Sequence, residues 1–228
     1  MKVARVYTPN GSLTKSISFG TPDISIAMAN DPRSDRCEEI RRLRTELMLR
    51  RESHDRAEVI SIVSAKPQEG RSNVAAELAI GFAQTGARTL LVDADMRNPT
   101  QHQLFGTHDG PGLKQLLEDG HEPVLHQLQH FPTLEVITAG DTPTHALELL
   151  SSYTLLRQIE RWRESYQFVL IDTPAVSRWS DAVAISDAAG RALVVTRGGH
   201  TRFTDLRGLL RRLAATRCRV MGAVVNYF

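Results

Sequence analysis

Cysteine is scarce in this chain, with two among 228 residues, Cys37 and Cys218, far apart and in no C-x-x-C arrangement. This excludes a disulfide-stapled scaffold and leaves a reduced, cytoplasmic protein with two structural thiols as the expectation. Long apolar runs are missing too: nothing approaches the roughly 18 consecutive apolar residues of a membrane-crossing helix. Residues 1–27 interleave apolar with polar side chains and hold no continuous apolar segment of the kind a secretory leader needs. Any membrane association is therefore expected to come through a partner. Charge of one sign is lacking, with a formal net of +2. The densest basic group, Arg207, Arg211, Arg212, Arg217 and Arg219, falls mainly along one expected helix. It reads as a solvated face, so no nucleic acid is expected as a partner. His102, His108, His121, His126 and His130 match no zinc spacing, have no cysteine nearby and read as surface residues.

What is present is an ordinary globular balance, 41% hydrophobic and 24% charged, in a chain long enough to bury a core without staples. Residues 1–36 are rich in turn formers (Pro9, Asn10, Gly11, Gly20, Pro22, Pro32) and read as an extended or flexible N-terminal arm. Residues 37–228 read as one domain. It opens with a helix over 37–51 whose apolar stripe is Ile40, Leu43, Leu47 and Met48. Runs of Val, Ile and Leu without polar alternation then recur at 58–64, 88–94, 134–140, 168–174, 192–197 and 219–227, as in strands buried on both faces. Helical stretches fall near 72–85, 145–165 and 203–215, with a weaker one at 111–119. Strand alternating with helix predicts an α/β fold, doubly wound around a mostly parallel sheet. The polar stretch 98–133 carries the least pattern.

The chemistry sits at strand ends. SAKPQEGRSN, residues 64–73, follows the first strand and opens a helix, as a phosphate-binding loop does. Loop and helix N–H groups would face phosphate, Gly70 would permit close approach, and Ser72 would offer its hydroxyl to Mg²⁺. Arg71 stands where a lysine is usual and keeps a positive charge there in planar form. Alone, this stretch also fits a plain strand–turn–helix connection. LLVDADMRNP places Asp93 and Asp95 two residues apart, so that both are expected on the same side of the strand. FVLIDTP ends in Asp172 after four apolar residues. Three strands ending in this way, in this order, point to a P-loop NTPase.

SAKPQEGRS, LLVDADMRNP and VLIDTP resemble the Walker A, Walker A′ and Walker B motifs of the bacterial tyrosine autokinases, within the larger group of Min and Par ATPases. Glu38, Arg41 and Arg44 match the E-x-x-R-x-x-R pattern through which family members assemble into rings; ordinary pairing along a helix surface is their other reading. The resemblance spans about residues 28–228. It implies ATP and Mg²⁺ as cofactors, with Gln68, Glu69, Gly70, Arg71, Ser72 and Asn73 wrapping the phosphates. It further implies Ser72, Asp93 and Asp172 at the metal, and Arg71, Asp93, Asp95 and Asp172 in catalysis. Asn226 matches the position near the adenine, or is simply a polar strand end.

The implied function is an ATP-dependent protein-tyrosine autokinase regulating exopolysaccharide chain length and export. It would form a homo-oligomeric ring and work with a membrane-embedded chain-length determinant, cytoplasmic and peripheral to the inner membrane through that partner. Departures from the family pattern keep two alternatives in view. Gln68, Arg71 and Asn73 alter the loop, and Glu77 puts a negative charge inside the following helix, as a degenerate, non-catalytic scaffold would allow. Lys66 stands where partition ATPases carry a lysine that reaches across a dimer. Many family members end in a tyrosine cluster. Here only Tyr227 is near the end, assigned to the last strand, so Tyr7 in the arm is the expected accessible acceptor.

Overall fold

The computed structural model describes residues 3–7, 13–20, 26–51, 56–107 and 110–227; for 3–7 and 13–20 it describes the backbone only. Expected His108 lies outside these residues. In chain order the elements are β1 (Val3–Tyr7), β2 (Leu13–Gly20), α1 (Ala27–Asn30), α2 (Asp35–Leu49), β3 (Glu58–Ser64), α3 (Arg71–Ala83), β4 (Thr89–Asp93), α4 (Gln101–Leu104) and α5 (Leu113–Asp119). There follow β5 (Val124–Leu128), β6 (Phe131–Ile137), α6 (Ala146–Leu150), α7 (Tyr153–Ser165), β7 (Phe168–Asp172), α8 (Asp181–Ala189), β8 (Arg191–Arg197), α9 (Phe203–Ala214) and β9 (Arg219–Asn226).

Among the described residues nine strands form one sheet, ordered β1-β2-β5-β6-β4-β7-β3-β8-β9. Every pairing is parallel except β1 with β2 and β5 with β6. The central strands β3, β4 and β7 are buried at every position, which is why their sequences run apolar without alternation. Successive residues feed opposite cores. Ile60, Ile62, Leu91 and Leu170 pack toward α2 and α3, while Val59, Leu90, Val92 and Val169 pack toward α5, α6 and α7. A third cluster joins Val63 and Val194 to Leu209 and Leu213 of α9. Helices thus cover both faces, and the doubly wound α/β arrangement is the one observed.

Several boundaries differ from the sequence reading. The expected N-terminal arm contains β1 and β2, and β2 pairs in parallel with β5 from Ser16↔Val124 to Gly20↔Leu128. These described stretches extend the sheet edge instead of forming a separate appendage. The helix expected over 145–165 is two, α6 and α7, because Ser152 caps a new start by accepting from the N–H of Leu155 at 3.3 Å. On α2, Ile40 and Leu47 are buried and Leu43 packs beside them, but Met48 is exposed and Cys37 completes the stripe. His126, expected on the surface, is buried within β5.

Candidate nucleotide-binding site

Parallel strands β4, β7 and β3 lie side by side and end at the same edge, where such sheets bind ligands. The loop after β3 is curled by two left-handed residues, Gln68 at φ 60° and Gly70 at φ 79°. Gly70 takes this angle freely; at Gln68 the side chain makes it costly by about 1–2 kcal/mol. The loop is tied down by Glu69, almost fully buried. Its carboxylate accepts from the N–H of Lys66 at 2.9 Å and from the Thr201 hydroxyl.

The acidic residues separate into two roles. Asp93 is paired in register with Asp172 of the neighbouring strand and is completely buried. It accepts from the backbone N–H groups of Asp95 (3.1 Å), Thr100 (3.0 Å) and Gln101 (2.9 Å), folding the chain after β4 around itself. Burial, and next the charge of Asp172, push its pKa up to about 8 against the pull of those N–H groups. Because β4 ends at Asp93, Asp95 leaves the strand geometry and is the one of the two that lines the cleft. The expectation that both aspartates share one face is corrected on this point. Burial raises the Asp95 pKa while the Arg71 guanidinium lowers it.

Arg71, the first residue of α3, turns inward. Its Nε donates to Asp172 Oδ1 at 2.9 Å, and its terminal nitrogens donate to Asp95 Oδ2 at 2.9 Å and Ser64 Oγ at 3.0 Å. The other Asp172 oxygen accepts from Gln101 Nε2 at 2.8 Å, and the same amide donates to the Ser72 carbonyl at 3.2 Å. Sequence reading expected Arg71 beside phosphate and did not identify Ser64 or Gln101. Gln101 lies in the polar stretch 98–133, where its type alone carried no signal.

These elements border a cleft of about 680 Å³ lined by Lys66 to Asn73, Asp95, Asn98, Thr100, Pro174, Arg178, Trp179 and His200, with others. Trp179 is held by Arg97, whose guanidinium lies 3.8 Å from the ring centroid and is anchored on buried Asp181 at 2.7 Å. Among the described residues no group of three His, Cys, Asp or Glu side chains could hold a metal unaided. A divalent cation fits here only as an oxygen-bound ion completed by phosphate and water. Ser72, Asp95 and Asp172 suit that, and the guanidinium already between the two carboxylates marks a place that holds positive charge.

At the far side Asn226 is buried, donating through Nδ2 to the Glu69 carbonyl at 3.3 Å and accepting from Arg36 at 3.0 Å. Arg36 also pairs through Nε with both oxygens of Glu77 at 2.8 Å. Glu77 is fully buried and so faces α2, away from the phosphate end of α3. Along α2, Arg41 pairs with Glu38 and donates to the Pro32 carbonyl, while Arg44 donates to the Gly81 carbonyl at 3.1 Å. Lys66 is paired with Asp205 of its own chain at 2.6 Å. Tyr227 lies just past β9 and is 77% exposed, where sequence reading had placed it inside the strand. Tyr7 ends β1.

The ParA family model, described as NUBPL iron-transfer P-loop NTPase, matches residues 55–227. Tyrosine-protein kinase YwqD of Bacillus subtilis is 34% identical over 203 residues, covering 88% of this chain and 84% of that protein. Tyrosine-protein kinase ptk of Acinetobacter johnsonii is 34% identical over 176 residues, covering 76% of this chain; the chain spans only 24% of its length. Among solved structures, the chimerical protein CapA2B2 superposes with a TM-score of 0.83 at 30% identity, over 92% of each chain. No helix among the described residues is long and apolar enough to cross a membrane.

Proposed function

Since the chain belongs to the bacterial tyrosine-protein kinases within the ParA-type P-loop NTPases, we propose that it binds Mg-ATP in this cleft and transfers the γ-phosphoryl group to tyrosine. The observation that carries the reading is the meeting of loop 66–70 and Asp95 around one cleft at three adjacent strand ends, with Asp172 buried behind it on Arg71. The loop and the N-terminus of α3 hold the phosphates, where backbone dipoles favour an anion. Magnesium, when bound, would neutralise charge on the phosphate oxygens. Ser72, Asp95 and Asp172 would orient its shell. Asp95, the strand-end acid that lines the cleft, accepts the phenolic proton as the tyrosine oxygen bonds to phosphorus and the bond to ADP breaks. Asp93 acts earlier, by fixing the chain that carries Asp95. Asn226, held by Glu69 and Arg36, bounds the adenine end.

In the cell we place this activity in exopolysaccharide export. The chain would be cytoplasmic, brought to the membrane by a chain-length determinant and assembled in a ring through Glu38, Arg41 and Arg44. Arg41 and Arg44 each hold a partner within the chain, so a ring contact would draw on these side chains where they already stand. Lys66 is paired within the chain as well, with Asp205, so the partition-type reading would need that pair exchanged across a dimer.

The test is calorimetric titration of ATP into the purified chain with Mg²⁺, and of Asp172→Asn in parallel. Saturable binding that weakens in the variant supports the reading; absence of ATP binding by the wild type would sink it. Binding without any phosphotyrosine formation would move the assignment to a non-catalytic scaffold.

A further inference from the structure

The oxygens that would share a divalent cation here already share a cation of the chain's own. Arg71, with its side chain 9% exposed, has all three guanidinium nitrogens on buried acceptors: Asp172 and Asp95 at 2.9 Å each, Ser64 at 3.0 Å. The remaining oxygens are engaged as well, Asp172 Oδ2 by Gln101 at 2.8 Å and Asp95 Oδ1 by the N–H of Asn98 at 3.0 Å. An incoming ion would have to displace a planar, charge-assisted clamp. It would find no third acidic, cysteine or histidine ligand among the described residues.

We infer that Arg71 is a tethered cation that occupies the metal-site carboxylates until nucleotide arrives, so that divalent metal enters this site only together with phosphates. The exchange is built into the position. Arg71 begins α3, whose N-terminus receives phosphate, and guanidinium binds phosphate and carboxylate by the same fork. Phosphate oxygens can therefore take over Arg71 without moving it out of the site. The carboxylates it leaves behind are then buried, uncompensated and in need of a cation. A lysine offers one compact charge and cannot span two carboxylates in this plane. The inference takes its ligand from the Mg-ATP reading but concerns the order of binding, not phosphoryl transfer.

Mn²⁺ is the probe, followed by the loss of its free electron paramagnetic resonance signal as the nucleotide-free full chain is added. The wild type is expected to take up Mn²⁺ only when ADP is present. Arg71→Ala should take it up without nucleotide, at least about tenfold more tightly than the wild type. Arg71→Lys should show the same change to a smaller degree, and serves if the alanine variant fails to fold. In thermal melts, Mn²⁺ alone should raise the melting temperature of the variants and leave that of the wild type unchanged. Equal Mn²⁺ affinity of nucleotide-free wild type and variants would overturn the inference, as would variants that bind no Mn²⁺ without ADP. A protein that binds in this order yet phosphorylates nothing would sink the kinase reading and leave the binding order standing.

Discussion

The Arg36–Glu77 pair offers an asymmetric test of how the nucleotide end of α3 is held. Glu77 is fully buried whereas the Arg36 side chain is 35% exposed, so the two deletions leave different orphans. Arg36→Met leaves a buried carboxylate with the N–H of Ala27, at 3.2 Å, as its remaining donor among the described residues. Stranding a buried charge in this way costs about 3–5 kcal/mol. Glu77→Gln keeps one acceptor oxygen and leaves Arg36 free to turn toward water, for a loss of about 1–2 kcal/mol. In a domain of this size each kcal/mol moves the melting temperature by about 2–4 °C. Arg36→Met should therefore fall by about 10 °C and Glu77→Gln by only about 4 °C. The double variant Arg36→Met/Glu77→Leu removes both charges and should recover most of the loss, with a coupling above about 2 kcal/mol in urea denaturation. A Glu77→Gln variant less stable than Arg36→Met, or a coupling below about 0.5 kcal/mol, would refute the reasoning. Arg36→Met should also weaken ATP binding, because Asn226 loses its donor from α2.

Gln68→Gly removes the side chain from a residue at φ 60° and should leave stability unchanged or raise it by about 1 kcal/mol in chemical denaturation; clear destabilisation would argue against the left-handed loop. Asp93→Asn keeps one acceptor oxygen but sets an amide N–H₂ against at least one of the three backbone donors and should lower stability by about 1–3 kcal/mol, whereas Asp95→Asn should abolish transfer with a smaller change in melting. Burial, then the charge of Asp187, raise the Cys218 thiol to about 11 from 9.0. The raised pKa keeps it protonated, so at pH 8 its alkylation by iodoacetamide should be about a hundredfold slower than for an ordinary thiol, rising about tenfold per pH unit up to pH 10. A rate that levels off below pH 9 would contradict this.

The central strands were legible because burial on both faces leaves a direct mark, an unbroken apolar run, in β3, β4 and β7. The same logic fails for β5, where VLHQL mixes half-buried and buried positions and carries His126 inward. Helix α8 was not anticipated: DAVAISDAA is built of small residues, and its stripe is too weak to stand out from a loop. The site shows the same division. Residue types and spacing announced a phosphate loop and three strand-end acids. Which acid reaches the cleft depends on β4 stopping at Asp93, and where Arg71 points depends on Ser64, Asp95 and Asp172 coming together at the ends of β3, β4 and β7. Neither fact exists until strands far apart in the chain are laid side by side.

The central claim is phosphoryl transfer to tyrosine from Mg-ATP at this site. It is tested most directly by incubating the wild type and Asp95→Asn with Mg²⁺ and γ-labelled ATP, then locating label by mass spectrometry. The account predicts phosphotyrosine in the wild type, with exposed Tyr227 and Tyr7 as the first sites to inspect, and none in Asp95→Asn. A wild type that binds ATP but labels no tyrosine, even with the cytoplasmic segments of a chain-length determinant added, would contradict it.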